Sequence, residues 1–170
     1  MKILIALILF FASFTANADP APFGLELGKT TIAEAKSKYT LRETGINKYS
    51  NGSMFSIDTS EVNFEGLSEL SLIFNTNNVL VAVLTKLPKS KFKSLHQSLS
   101  KKYKVVSQNI PFVGNSSAKY VNGLTEITLD APHMSFDMNM NYVRKELIAA
   151  YSRQSTQERQ AKKRSEESQL

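Results

Sequence analysis

Two groups of side chains in this sequence could do chemistry. The first is a run of lysines. Lys86, Lys89, Lys91, Lys93, Lys101, Lys102 and Lys104 fall in a stretch with no acid, and no Asp or Glu occurs between Glu69 and Glu126. Ammonium groups gathered on one surface make a docking patch for anionic partners, because no carboxylate cancels their field within a Debye length of about 10 Å. The same lysines also suit a plain solvated helix face. The second group is Asp130, His133, Ser135 and Asp137, which suggests a hydrolytic relay or a metal site. Strand geometry argues against both: residues two apart share a face about 7 Å apart, and Asp137 and His133 would stand ~13 Å apart. A nucleophile and its base must approach to about 3 Å, and one carboxylate with one imidazole is a poor metal set. The quartet therefore reads as a wet polar face, with a hydrolase using His133 as the competing reading.

Little else offers reactive groups. The chain has no cysteine, which excludes disulfides, thiol catalysis, thiolate metal sites and a lipid-modified N-terminal cysteine. It has no glycine-rich phosphate loop, zinc signature or nucleophile elbow, and no cofactor is implied. His96 stands alone, four residues after Phe92, and reads as a half-buried or surface residue without a partner.

The lysines need an element to carry them. Phe92, Leu95, Leu99 and Tyr103 recur at helical spacing, so Lys86 to Lys104 reads as one amphipathic helix with Pro88 in its first turn. Before it, Thr31 and Glu34 fit a capping box that opens a helix from Ile32 to Tyr39. Strands are expected at Leu41 to Tyr49, Met54 to Ile57, Leu70 to Phe74 and Val79 to Leu84, the last being the most apolar and central. Turns are expected at Asn51-Gly52 and Asn77-Asn78. After the lysine helix come Lys104 to Ser107, a loop from Ile110 to Ser116, and a hairpin across Asn122-Gly123. A turn at Asp130 to Pro132 then leads to a strand in which Met134, Phe136, Met138 and Met140 alternate with Ser135, Asp137, Asn139 and Asn141. Those methionines read as core. Val143, Leu147 and Tyr151 mark a closing helix. From Ser152 to Leu170 no apolar stripe remains, and the basic triplet Lys162-Lys163-Arg164 is offset by Glu158, Glu166 and Glu167. That segment reads as a mobile charged tail or a fraying helix extension.

The N-terminus reads as a leader. Lys2 precedes an apolar run from Ile3 to Phe14, interrupted only by Ser13, and Ala16-Asn17-Ala18 is a small-residue cleavage site. The run is too short to span a bilayer core, which needs roughly 20 residues. Residues 1–18 are thus a secretory signal peptide, and the mature chain is periplasmic or secreted. Residues 19–151 form a single α+β domain, an antiparallel sheet with helices packed on one face. Two halves, 23–85 and 86–151, each open with a helix ending in Lys-Tyr, at Lys38-Tyr39 and Lys102-Tyr103. They read as two diverged α-β-β-β repeats, with coincidence as the alternative.

The stretch Phe23-Gly24-Leu25-Glu26-Leu27-Gly28-Lys29-Thr30-Thr31, just after the leader, resembles the opening of a group of small proteobacterial periplasmic proteins. The helix-then-meander order also resembles the superfold of β-lactamase inhibitory protein and the small outer-membrane assembly lipoproteins. This resemblance implies a protein that binds other proteins and is no enzyme. The missing lipidated cysteine departs from the lipoproteins, and no binding residue carries over by position.

The expected function is non-catalytic binding, first to a protein of the cell envelope, through the lysine helix or the polar side of the last strand. The alternative is peripheral attachment to anionic lipid or polysaccharide through the lysines. Export argues against nucleic acid despite a pI near 9.5.

Overall fold

The computed structural model describes residues 18–169, so the expected leader lies, except for Ala18, outside the described residues. Eight strands and three helices follow one another in the order α1 (Ile32–Lys38), β1 (Leu41–Ile46), β2 (Asn51–Ile57), β3 (Glu69–Asn75), β4 (Leu80–Pro88), α2 (Phe92–Lys102), β5 (Lys104–Asn109), β6 (Ser116–Asn122), β7 (Thr125–Ala131), β8 (Asp137–Arg144) and α3 (Lys145–Glu167). The strands form one antiparallel sheet in the order β1-β2-β3-β4-β8-β7-β6-β5. The class is α+β.

Each half is a helix followed by a four-stranded meander, one strand more than the three-stranded unit expected. The strands expected at Leu41 and Lys104 form as the sheet edges β1 and β5, mostly or wholly exposed, so it was the repeat unit that was counted one strand short. The halves meet at the ladder running from Ala82–Val143 to Pro88–Asp137, and from it the strand order runs outward as β4 to β1 on one side and β8 to β5 on the other. The two Lys-Tyr pairs fall on matching positions. Tyr39 and Tyr103 each close their helix in extended conformation, with the N–H bonded to the carbonyl four residues back.

α1 and α2 lie on the same face. Ala35 of α1 and Phe92 and Leu99 of α2 join Leu72, Phe74, Val83, Tyr120, Ile127 and Met138 in one core. The capping box of α1 forms as expected: the Thr31 hydroxyl accepts from the Glu34 N–H, and the Glu34 carboxylate accepts from the Thr31 N–H at 2.7 Å. These bonds to Thr31 hold the Glu34 carboxyl below its ordinary value. α3 takes the opposite face, where Leu147 packs on Ile73, Val81 and Ala82. Tyr151 meets Tyr49 edge-on at 5.0 Å. The charged segment from Ser152 is the exposed second half of α3, tied to the β1–β2 turn by a Lys48–Glu158 ion pair at 3.4 Å. Coverage on both faces explains the unbroken apolar run of β4. Elsewhere that second face is bare and polar.

Four boundaries differ from the sequence reading. The lysine helix does not start at Lys86, because β4 continues through Pro88 and a 3-10 turn at Lys89–Lys91 leads into α2. The division between halves therefore follows Pro88 rather than residue 85. The β1–β2 turn is Asn47–Ser50, not Asn51-Gly52: the Asn47 carboxamide oxygen accepts from the N–H groups of Tyr49 and Ser50, both at 3.0 Å. Gly52 instead lets β2 press against β3, since a Cβ there would lie 2.2 Å from the Phe74 carbonyl oxygen. The last strand begins at Asp137 and runs through Tyr142 to Arg144, which returns Val143 to the sheet and leaves Met134 and Phe136 outside it.

One long-range link fastens the N-terminus to the second half. The Asp19 carboxylate pairs with the Arg144 guanidinium, and their side chains are only 13% and 12% exposed. It also accepts from the Leu124 N–H at 2.8 Å and the Thr125 hydroxyl at 3.1 Å. Gly28, at φ +75°, makes room: a Cβ there would lie 1.8 Å from Arg144 Nη1.

Candidate functional site

The structure divides the seven lysines. In register, Lys86 faces Glu69 across β3 and β4, and the two form an ion pair. Lys91 pairs with Glu65. The absence of acids along the sequence therefore does not hold in space, because the β3–β4 hairpin folds the segment around Glu65 and Glu69 back onto the lysines. The hydrogen bond from Lys91 holds the Glu65 carboxyl below its usual value, and that from Lys86 to Glu69 raises the Lys86 ammonium. Lys89 is a structural donor, its ammonium bonding the carbonyls of Pro132 at 2.6 Å and His133 at 3.0 Å. Lys93, Lys101, Lys102 and Lys104 are exposed, with the Lys102 ammonium 5.3 Å from the Tyr103 ring. Lys93 lies near one end of α2 and the other three at the far end, roughly 15 Å away by helical rise. The seven do not converge on one patch.

The polar quartet does not assemble either. Asp130 is exposed on β7, and His133 is exposed in the loop between β7 and β8. The His133 N–H donates to the Asn115 side chain at 2.7 Å, and the Ser135 hydroxyl accepts from the Asp137 N–H at 3.0 Å. These bonds shape a loop and bring no hydroxyl or carboxylate to the imidazole. Among the described residues no three His, Asp or Glu side chains are grouped closely enough to hold a metal. His96 departs from its reading as a residue without a partner: Nδ1 lies 2.5 Å from the hydroxyl of the buried Tyr120, and the ring stacks on Phe92. Under α2 the phenols of Tyr103, Tyr120 and Tyr142 lie close together. Burial first, then the neighbouring Tyr103 and Tyr120, pushes the Tyr142 hydroxyl far above its ordinary value.

What the sequence reading missed is an apolar pair of loops. The β5–β6 loop carries Ile110, Phe112 and Val113; the β7–β8 loop carries Met134 and Phe136. Phe112 is fully exposed, Phe136 is 94% exposed and Met134 is 91% exposed. The loops are neighbours, because Ser116 pairs with Ala131 at their base. Asn115 bridges them: its side chain accepts from the His133 N–H, and its carbonyl accepts from the Asn109 carboxamide at 3.2 Å. Lys89 seals the second loop from below, with its backbone N–H donating to the Phe136 carbonyl at 2.7 Å. The loop backbones are thus held by the protein's own groups, while the aromatic rings stand in water. Exposed apolar clusters of this kind mark interaction sites. The missed signals were Ile110-Pro111-Phe112-Val113, bulky apolar residues beside a proline where no strand forms, and Pro132 ahead of a strand placed three residues too early.

The open face of the sheet forms a second surface. Across β1, β2, β3, β4 and β8 the register aligns Arg42, Ser56, Ser71, Leu84 and Asn141. The neighbouring row aligns Glu69, Lys86 and Asn139.

No protein-family model, curated protein or solved structure matches this chain.

Proposed function

We propose that this chain is an exported, non-catalytic protein that acts by binding another protein of the cell envelope through the paired loops Ile110–Asn115 and Pro132–Phe136. The single observation that supports this reading is the exposure of Phe112, Met134 and Phe136 on adjacent loops whose backbones are fastened by Asn115 and Lys89. Aromatic side chains held ready on a fixed scaffold are the residues that carry most interface energy, and fixing them beforehand lowers the entropic cost of binding. The lysines contribute less to this surface, since Lys86 and Lys91 already pair with carboxylates and Lys89 bonds to the loop.

The test is capture from an envelope extract at low and high salt, using the wild-type chain and a Phe112→Ser/Phe136→Ser variant. Burying each ring is worth about 1.5–3 kcal/mol, so the double variant should bind at least 100-fold more weakly. Salt should change wild-type capture little. Capture that survives in the variant and collapses at high salt would overturn the loop reading in favour of lysine-driven attachment. Sedimentation of the wild type with phospholipid vesicles, in the absence of protein capture, would replace the protein partner with a membrane.

A further inference from the structure

We infer that the open face of the sheet is a second binding surface, independent of the apolar loops, and that its ligand is an extended chain of neutral sugar rings. Two joined clefts carry the inference. One, of about 450 Å³, lies over β1, β2 and β3 between Arg42, Ser56 and Ser71 and the 3-10 turn that follows Asp58. The other, of about 290 Å³, continues over β3, β4 and β8, shares Glu69 and Ser71 with the first, and ends at Asn139 and Asn141. The aligned row from Arg42 to Asn141 crosses five strands, about 19 Å at the usual strand spacing. α3 is seated on Ile73, Val81 and Ala82 nearer the β3–β4 turn, and of the row only Leu84 packs against that cluster.

The chemistry of the groove selects the ligand. Among the described residues, the side chains of Arg42, Ser71 and Asn139 make no hydrogen bond to protein. Asn141 uses its carboxamide oxygen in a contact of 3.4 Å from the Thr85 N–H, which leaves its NH₂ free. A guanidinium offers donors only, whereas a hydroxyl and a carboxamide each donate and accept. That mixture matches vicinal hydroxyls, which also do both. The charges are nearly matched: Glu69 pairs with Lys86, and Asp58 and Glu61 line the same cleft as Arg42, which leaves one carboxylate in excess. That excess disfavours an anionic polymer, and among the described residues no three acids or histidines are grouped to hold a cation. Leu84 is the only apolar residue in the central row and no aromatic stands there, so the surface lacks the anchors of a protein interface. The length of the joined clefts suits several linked rings rather than a single one.

Native gel electrophoresis through hydroxyethyl cellulose, with carboxymethyl cellulose as the charged comparison, tests this directly. The neutral polymer should retard the wild type. Ser71→Tyr, which fills the junction of the clefts, and Asn139→Ala, which removes a free amide, should each weaken retardation at least fivefold with unchanged circular dichroism. Phe112→Ser should leave retardation as it is, so failure here and failure of the loop-mediated protein capture are read separately. Unretarded wild type, retardation by carboxymethyl cellulose alone, or retardation that survives both groove variants would each overturn the inference.

Discussion

Replacing Asp19 by Ala should be among the most damaging single changes to this fold. The Arg144 guanidinium would keep its place, 12% exposed, with its anion gone. Its Nε is already buried without a hydrogen-bond partner, and Glu146 reaches it only at 3.6 Å. The Leu124 N–H and Thr125 hydroxyl would lose their acceptor as well. Breaking a buried pair from one side costs about 3–5 kcal/mol, because the surviving charge stays desolvated. With an unfolding entropy of about 2.1 cal/mol/K per residue, a chain of this size should melt roughly 10–15 °C lower. Scanning calorimetry at pH 7 measures this. Arg144→Met should restore much of the loss when added to Asp19→Ala, giving a coupling energy above about 1.5 kcal/mol in the double-mutant cycle. A melting point for Asp19→Ala within 2 °C of wild type, or simple additivity in the cycle, would refute the view that this pair fastens the N-terminus to the second half.

Two further outcomes follow from the core. Burial raises the Tyr142 hydroxyl above its unfolded value near 10, so its contribution to stability is complete below about pH 10 and falls away at higher pH as the unfolded chain ionises first. Tyr142→Phe should be nearly neutral at pH 7 and should flatten the alkaline limb of the stability curve, measured by denaturant titration between pH 8 and 11. Gly52→Ala should destabilise by about 1–3 kcal/mol or more through overpacking, because its methyl would meet the Phe74 carbonyl and the Asn75 backbone. A urea midpoint equal to that of wild type would contradict the close approach of β2 and β3.

How much of this was legible beforehand depended on whether a local signal stood alone. The Thr31 and Glu34 spacing gave the start of α1, and Phe92, Leu95, Leu99 and Tyr103 gave the buried stripe of α2. Their signals need no partner strand. β4 read as central because both its faces are covered. β8 was misplaced because Met134 and Phe136 continue the alternation of Met138 and Met140 without a break, and only Pro132 and the Ser135–Asp137 turn set the true start. That slip hid half of the apolar pair by assigning Met134 and Phe136 to a half-buried strand, while Ile110, Phe112 and Val113 fell in an expected loop whose exposure went unread. The lysines misled for the opposite reason: distance along the chain from Glu65 and Glu69 says nothing about distance across a hairpin. The like order of the halves was legible as a helix ending in Lys-Tyr followed by strands, while their residues gave little further sign of it, since the open face is apolar under α3 in one half and polar in the other.

The meeting of β4 and β8 has a consequence for what half of this sheet would do alone. A half-length version would leave β4 at a raw margin, and a second identical copy turned end for end would cover it, giving the same eight strands as a homodimer. Joining two such halves in one chain, as here, would make that assembly permanent and independent of dilution. It also breaks the equivalence of the flanks, because a single closing helix can shelter only one of them, and the other is left bare to acquire a role of its own.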